Sequence, residues 1–151
     1  MANTALNRTV ALLLTNGSGG AVAFGDVVVL STSADNTFTT TAVLGYTTTA
    51  CGVVLEPNGI ANGAVGMVAF GGYVSQINTS AAGTQGDLIR MSGTVKIGVR
   101  HAAPGLTGDF AMALDDVDDP PALIFNQLPV GVGFDYLIGI HLALPIFTPR
   151  L

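Results

Sequence analysis

The stretch Phe24-Gly25-Asp26-Val27-Val28-Val29-Leu30 decides how this chain is read, because a version of it returns. Gly86-Asp87-Leu88-Ile89-Arg90-Met91 repeats it 61 residues later, from Gly25 to Gly86. Each Gly-Asp is followed, after an intervening segment, by a second short apolar run that ends in an acid. The first is Cys51-Gly52-Val53-Val54-Leu55-Glu56 and the second Phe110-Ala111-Met112-Ala113-Leu114-Asp115. The offset from Leu55 to Leu114 is 59, close to the first offset. A period this long, seen twice, predicts two related β-modules rather than a solenoid. Asp26 and Asp87 hold equivalent places in the two copies, which points to a structural task such as bonding backbone N–H groups in a turn.

Outward from the repeat, the chain reads as strands and turns. Val10 to Leu14 is a short strand, and Asn16-Gly17-Ser18-Gly19-Gly20 a turn. Ala21 to Leu30 is a second strand with a bend at Gly25-Asp26. The threonine-rich segment 31–50 predicts an exposed hairpin or long β-loop, since a branched Cβ suits a pleated surface. Cys51 to Leu55 and Ala64 to Val74 are further strands, with Gly71-Gly72 permitting a sharp corner in the second. Val95, Ile97 and Val99 alternate with Lys96, Gly98 and Arg100, which predicts a half-buried strand joined to Leu88–Met91 through Ser92-Gly93. Asn78 to Ala82 could start one helical turn. The fold class is therefore all-β, a small β-barrel or sandwich-like domain over 10–116. It is preceded by an extended arm over 1–9 and followed by an apolar β extension over 117–151.

Composition bounds the surface. Only 10% of the 151 residues are charged, and 49% are hydrophobic, against about 25% charged in typical soluble domains. So few charges predict uncharged or apolar patches that other protein covers; a soluble monomer with a neutral Thr, Ser, Asn and Gly surface is the alternative. The net charge is −5, with Lys96, Arg8, Arg90, Arg100 and Arg150 as the cations, so nucleic-acid binding by phosphate neutralisation is not expected. The single Cys51 excludes an intramolecular disulfide and reads as a small core residue. Val10 to Leu14 is too short for a signal-peptide core, and reads as a strand. The run Leu128 to Phe147 approaches transmembrane length, but Asp135, His141, two prolines and three glycines argue against a membrane partner.

No catalytic, cofactor or metal constellation is expected. Asp115-Asp116-Val117-Asp118-Asp119 has carboxylates of the kind Ca²⁺ takes, but lacks the glycine and closing glutamate of an EF-hand and reads as a solvated turn. His101 and His141 have no ligand-spaced neighbours. Gly17-Ser18-Gly19 lacks the spacing of a nucleophile elbow, and no phosphate loop is present. The candidate contact residues are instead Ala2, Asn3, Thr4 and Leu6 in the arm, and Leu137, Ile140, Leu142 and Phe147 in the tail.

Several segments together resemble the capsid decoration, or cement, proteins of tailed bacteriophages. They are Phe24-Gly25-Asp26-Val27-Val28, Cys51-Gly52-Val53-Val54-Leu55-Glu56 and Ala61-Asn62-Gly63-Ala64-Val65-Gly66-Met67-Val68. Gly71-Gly72-Tyr73-Val74, Gly83-Thr84-Gln85-Gly86-Asp87-Leu88 and Phe110-Ala111-Met112-Ala113-Leu114 complete the set. The resemblance covers about residues 21–116 and includes no catalytic motif. It implies a small β-rich virion protein, often a homotrimer, that binds the major capsid protein at capsomer junctions on the capsid surface, its arm adding a strand to the shell's sheets. The composition also admits a self-assembling subunit of an extracellular filament or tube, whose partners are its own copies.

Overall fold

Local chemistry sets the first feature of the structure. In a computed structural model, which describes residues 8–126, Ala23-Phe24-Gly25-Asp26 closes on itself as a turn. Asp26 N–H donates to the Ala23 carbonyl (3.1 Å), and Ala23 N–H donates to Asp26 Oδ2 (2.7 Å). Gly25 has φ +84°, a conformation that costs glycine nothing. The same pair of bonds closes Thr84-Gln85-Gly86-Asp87. A third copy, Leu106-Thr107-Gly108-Asp109, closes in the same way. Each turn delivers a strand: β2 (Val27–Leu30) after the first, β6 (Leu88–Met91) after the second, and β8 (Asp109–Ala113) from Asp109 itself.

The remaining strands are β1 (Thr9–Asn16), β3 (Thr37–Thr39), β4 (Cys51–Val54), β5 (Val65–Val74), β7 (Gly98–His101) and β9 (Ala122–Ile124). The described residues form no helix, so the helical turn expected at Asn78–Ala82 is absent. Hydrogen-bonded order is β1-β3-β2-β4-β5-β9-β8-β6-β7, and β1 also pairs with β5. That last pairing closes β1, β3, β2, β4 and β5 into a five-stranded barrel; the other four strands lie outside it. The fold is all-β, as the sequence predicts.

The repeat is real in register. Val27 pairs with Val53 across β2 and β4, and Leu88 pairs with Met112 across β6 and β8. Gly25 N–H donates to Val54 O while Val54 N–H donates to Asp26 O; Gly86 and Ala113 exchange the equivalent bonds around Asp87. Next to β4 lies β5, and next to β8 lies β9, paired with each other through Gly72–Ile124, Tyr73–Leu123 and Val74–Ala122. An isolated parallel bridge from Thr79 to Gly98 links the outer strand β7 back to the segment after β5. β9 thus sits inside the sheet, and Asp118-Asp119-Pro120-Pro121 is a loop leading into it.

β5 is the strand both halves share. One edge carries β1 along nearly its whole length. The other edge carries β4 at Val68–Ala69 and β9 at Gly72–Val74. Between them the ladder shifts by one residue, so that Val10 faces Gly71 and Ala11 faces Ala69. This is the corner expected at Gly71-Gly72, and Gly72 takes φ +80° there. Asn126 plugs the fork. Its amide donates to Cys51 O (2.7 Å) and Phe70 O (3.0 Å), and its Oδ1 accepts from Cys51 N–H (3.2 Å).

Two cores result. Leu14, Val22, Val28, Phe38, Val54, Ile60 and Val68 fill the barrel. Val27, Val29, Cys51, Val53 and Ala69 on the barrel's outer wall pack against Ile89, Met91, Phe110, Ala111 and Ile124 of β6, β8 and β9. β2 is therefore buried on both faces, which accounts for its unbroken valine run.

Two local expectations fail. The alternating segment Thr94–Val99 is strand only from Gly98: β7 pairs with β6 as the expected hairpin, but it starts at Gly98, with Val95 exposed and Gly98 buried. Lys96 adopts φ +72° and gives its carbonyl to Val27 N–H, which breaks the alternation. The threonine-rich segment is not a free hairpin either. Asn36 makes a bend at φ +50°, but β3 enters the barrel with Phe38 fully buried, antiparallel to β2 and parallel to β1.

Candidate interaction surface

The eight contact residues expected from sequence, Ala2, Asn3, Thr4, Leu6, Leu137, Ile140, Leu142 and Phe147, lie outside the described residues. What the structure places on the surface instead is the β1–β5 ribbon. Leu13 pairs directly with Met67, and Thr15 with Val65. On this outer face of the barrel Leu13 is 65% exposed, Val65 61% and Met67 41%. Val10 and Leu12, on the same strand, are exposed as well. The ribbon continues directly from the arm: Arg8 O accepts from Tyr73 N–H, and Thr9 Oγ1 donates to Tyr73 O (2.6 Å). Leu13, Val65 and Met67, three large apolar side chains on one face of two paired strands with no charge among them, form the kind of patch that marks a contact surface.

Sequence reading missed these residues because the signal for burial fails on doubly apolar strands. Leu12-Leu13-Leu14 and Met67-Val68 present apolar side chains to both faces, so alternation cannot say which one is covered. The scarcity of charge was the only pointer available.

The polar groups are committed elsewhere. Asp26 Oδ1 accepts from Asn78 Nδ2 (2.9 Å), and Asn78 also donates to Phe24 O (3.1 Å). Arg100 Nε stands 3.5 Å from Asp87 Oδ2, and its other nitrogens donate to the carbonyls of Thr84, Asp115 and Val117. Asp109 Oδ1 meets His101 Nε2 at 2.6 Å, while His101 Nδ1 faces Ala102 O at 2.9 Å. Both imidazole nitrogens are thus engaged, and neither is turned to a hydroxyl nucleophile.

The acid-rich loop is more ordered than a solvated turn. Asp116 Oδ1 accepts from Gln85 N–H (2.7 Å), Asp119 Oδ1 from Thr79 N–H (2.8 Å), and Asp118 Oδ1 from Thr79 Oγ1 (3.2 Å). Among the described residues no three His, Cys, Asp or Glu side chains are grouped to hold a metal ion. Also among them, no helix is long and apolar enough to cross a membrane. Cys51 is buried, and desolvation pushes its thiol up to about 12, which leaves it unreactive near neutral pH. No protein-family model matches the chain, and no curated protein matches its sequence.

Proposed function

We propose that this protein is a non-enzymatic structural component of a virion that decorates an icosahedral capsid, binding the major capsid protein at capsomer junctions and stiffening the shell. The carrying observation is the uncharged apolar ribbon of Leu13, Val65 and Met67, continuous with the arm that leads into β1. A shell is held by many shallow contacts repeated over a lattice, so avidity substitutes for a deep pocket. A ribbon that buries no unpaired charge suits such a contact, and an arm entering along a strand edge can add a strand to a partner sheet. The segments that resemble decoration proteins occupy the Gly-Asp turns, β4, the turn into β5, the β5 corner and β8. They support the reading through the frame they build.

The test is co-sedimentation of the full chain with expanded shells assembled from a tailed-phage major capsid protein. Saturable binding at a fixed ratio to the capsomers is expected. Leu13→Glu together with Met67→Glu should lower occupancy at least tenfold while the unfolding midpoint stays within a few degrees. Binding unchanged by both substitutions sinks the reading. Long filaments or tubes formed by the protein alone in electron micrographs would replace it with the filament subunit.

A further inference from the structure

Asn-Gly occurs three times in the chain, at Asn16-Gly17, Asn58-Gly59 and Asn62-Gly63. Glycine has no Cβ to keep the asparagine side chain away from the next backbone nitrogen. The chemistry open to such a pair is ring closure. The glycine nitrogen loses its proton and attacks Asn Cγ; an N–Cγ bond forms, the Cγ–Nδ2 bond breaks, and the amide nitrogen leaves as ammonia. Water then opens the succinimide at one of its two carbonyls and yields an aspartyl or an isoaspartyl residue. The reaction needs a side chain free to rotate, a glycine N–H that can leave its acceptor, and access to water.

The folded chain meets these needs unequally. Asn16 is 1% exposed. Its Nδ2 donates to Gly20 O and Ile60 O (both 2.9 Å), and its Oδ1 accepts from Ser18 N–H (2.9 Å). Gly17 N–H donates to Phe38 O of β3 (2.9 Å). Asn62 is exposed, but both reacting groups are tied to a distant loop: Oδ1 accepts from Gly19 N–H (3.0 Å) and Gly63 N–H donates to Asn16 O (2.7 Å). Asn58 is exposed as well, and among the described residues no hydrogen bond holds its side chain. Gly59 N–H donates to Glu56 O (2.9 Å), the closing bond of the turn Glu56-Pro57-Asn58-Gly59. Flipping the Asn58–Gly59 peptide rotates ψ of Asn58 and φ of a glycine and releases that local bond. Opening an exposed turn costs far less than opening contacts between distant segments.

We propose that Asn58 is a modification site of the folded protein, converted by spontaneous cyclisation onto Gly59 with loss of ammonia, and that Asn62 and Asn16 are shielded by the hydrogen bonds on their reacting groups. The product places a new carboxylate two residues from Glu56, whose Oε2 accepts Met67 N–H (2.8 Å) in the β1–β5 ribbon. The protein therefore gains negative charge close to its apolar surface as it ages. The modification stands whether or not that ribbon binds a capsid.

Incubation of the full chain in mildly alkaline buffer, followed by peptide mapping with mass spectrometry, tests it. The urea-unfolded chain is the reference. There the three sites should convert at rates within a few-fold of one another, since only local sequence distinguishes them. In the folded protein Asn58 should convert at least tenfold faster than Asn62, and Asn16 should stay intact. Asn58→Ser should remove most of the isoaspartyl residues that a protein isoaspartyl methyltransferase labels. Conversion of Asn62 or Asn16 as fast as Asn58 in the folded protein overturns the proposal, as does methyl labelling that Asn58→Ser leaves unchanged. Survival of all three sites in the folded protein, after the unfolded chain has converted, is also a negative answer: the Glu56–Gly59 bond would then be protection enough. Should Asn58→Ser not fold, the map of the unaltered chain decides.

Discussion

At the residue scale, Asp26, Asp87 and Asp109 do one job with three different partners. Each carboxylate accepts the N–H three residues back, and each is then held by another element through Asn78, Arg100 or His101 respectively. Removing the Asp26 carboxylate deletes part-buried hydrogen bonds from Ala23 N–H and Asn78 to a charged acceptor, for a cost of about 1.5–3 kcal/mol. Asp26→Ala should lower unfolding stability by that amount in urea titration, and Asp26→Asn, which keeps an acceptor, should recover part of it. The sequence shows the Gly-Asp signal at Asp26 and Asp87. It shows the same pair at Gly108-Asp109, but that pair directly precedes the acid-ended run Phe110–Asp115 and so falls outside the two-copy pattern. Cys51 gives a second prediction at this scale. Its folded-state thiol titrates at about 12 against 9.0 for an exposed one, so between those values the unfolded chain has lost a proton the folded chain keeps. Stability is therefore flat below pH 9 with respect to this group and falls as pH rises from 9 towards 12. Cys51→Ser should flatten that limb of a stability–pH curve, and iodoacetamide should label the wild-type thiol only after unfolding.

At the scale of elements, β5 decides the architecture, and Gly72 within it is not equivalent to Gly63 in the turn before it. Gly63 and Gly72 have nearly the same backbone, φ +81° and +80°. A Cβ at Gly63 would meet nothing within 4 Å, whereas one at Gly72 would collide with the Arg8 carbonyl where β1 crosses. Gly63→Ala should cost only the strain of a left-handed residue, about 1–2 kcal/mol. Gly72→Ala should cost about 2 kcal/mol or more beyond that and should speed amide exchange along Val10–Leu13, read by mass spectrometry. The Asn126 plug offers a second check. Asn126→Ala leaves the Cys51 and Phe70 carbonyls and the Cys51 N–H without their side-chain partner at the fork, for an expected loss of about 2–3 kcal/mol. A loss below 0.5 kcal/mol, on the order of an ordinary surface substitution, would show that water replaces the amide there.

At the scale of the molecule, the two halves are one cooperative unit. They share β5, and the outer wall of the barrel is the floor of the second core. Neither half can unfold without exposing the other's buried apolar side chains. A single calorimetric transition is expected, with the van't Hoff enthalpy equal to the calorimetric one. Two resolved transitions would show that the halves are separable modules. The pairing of residues far apart in sequence also predicts folding in milliseconds to seconds rather than microseconds.

What the sequence determined by itself is local. The all-β class, the turns at Gly25-Asp26 and Gly86-Asp87, and the corner at Gly71-Gly72 follow from backbone freedom at glycine and from a carboxylate that reaches three residues back. The two-module repeat was legible for the same reason, since each module restates those local rules. The scarcity of charge announced that large apolar side chains would stand on the surface. Tertiary structure alone decided the rest. The alternation in Thr94–Val99 promised a strand, but Lys96 turned away to bond β2. β3 gained its place beside β1 only because Phe38 fills the barrel. The exposed ribbon was invisible because Leu12-Leu13-Leu14 and Met67-Val68 are apolar on both faces. For such strands burial is a property of what lies opposite, which is set by the pairing of β5 with three neighbours and not by any residue's own chemistry.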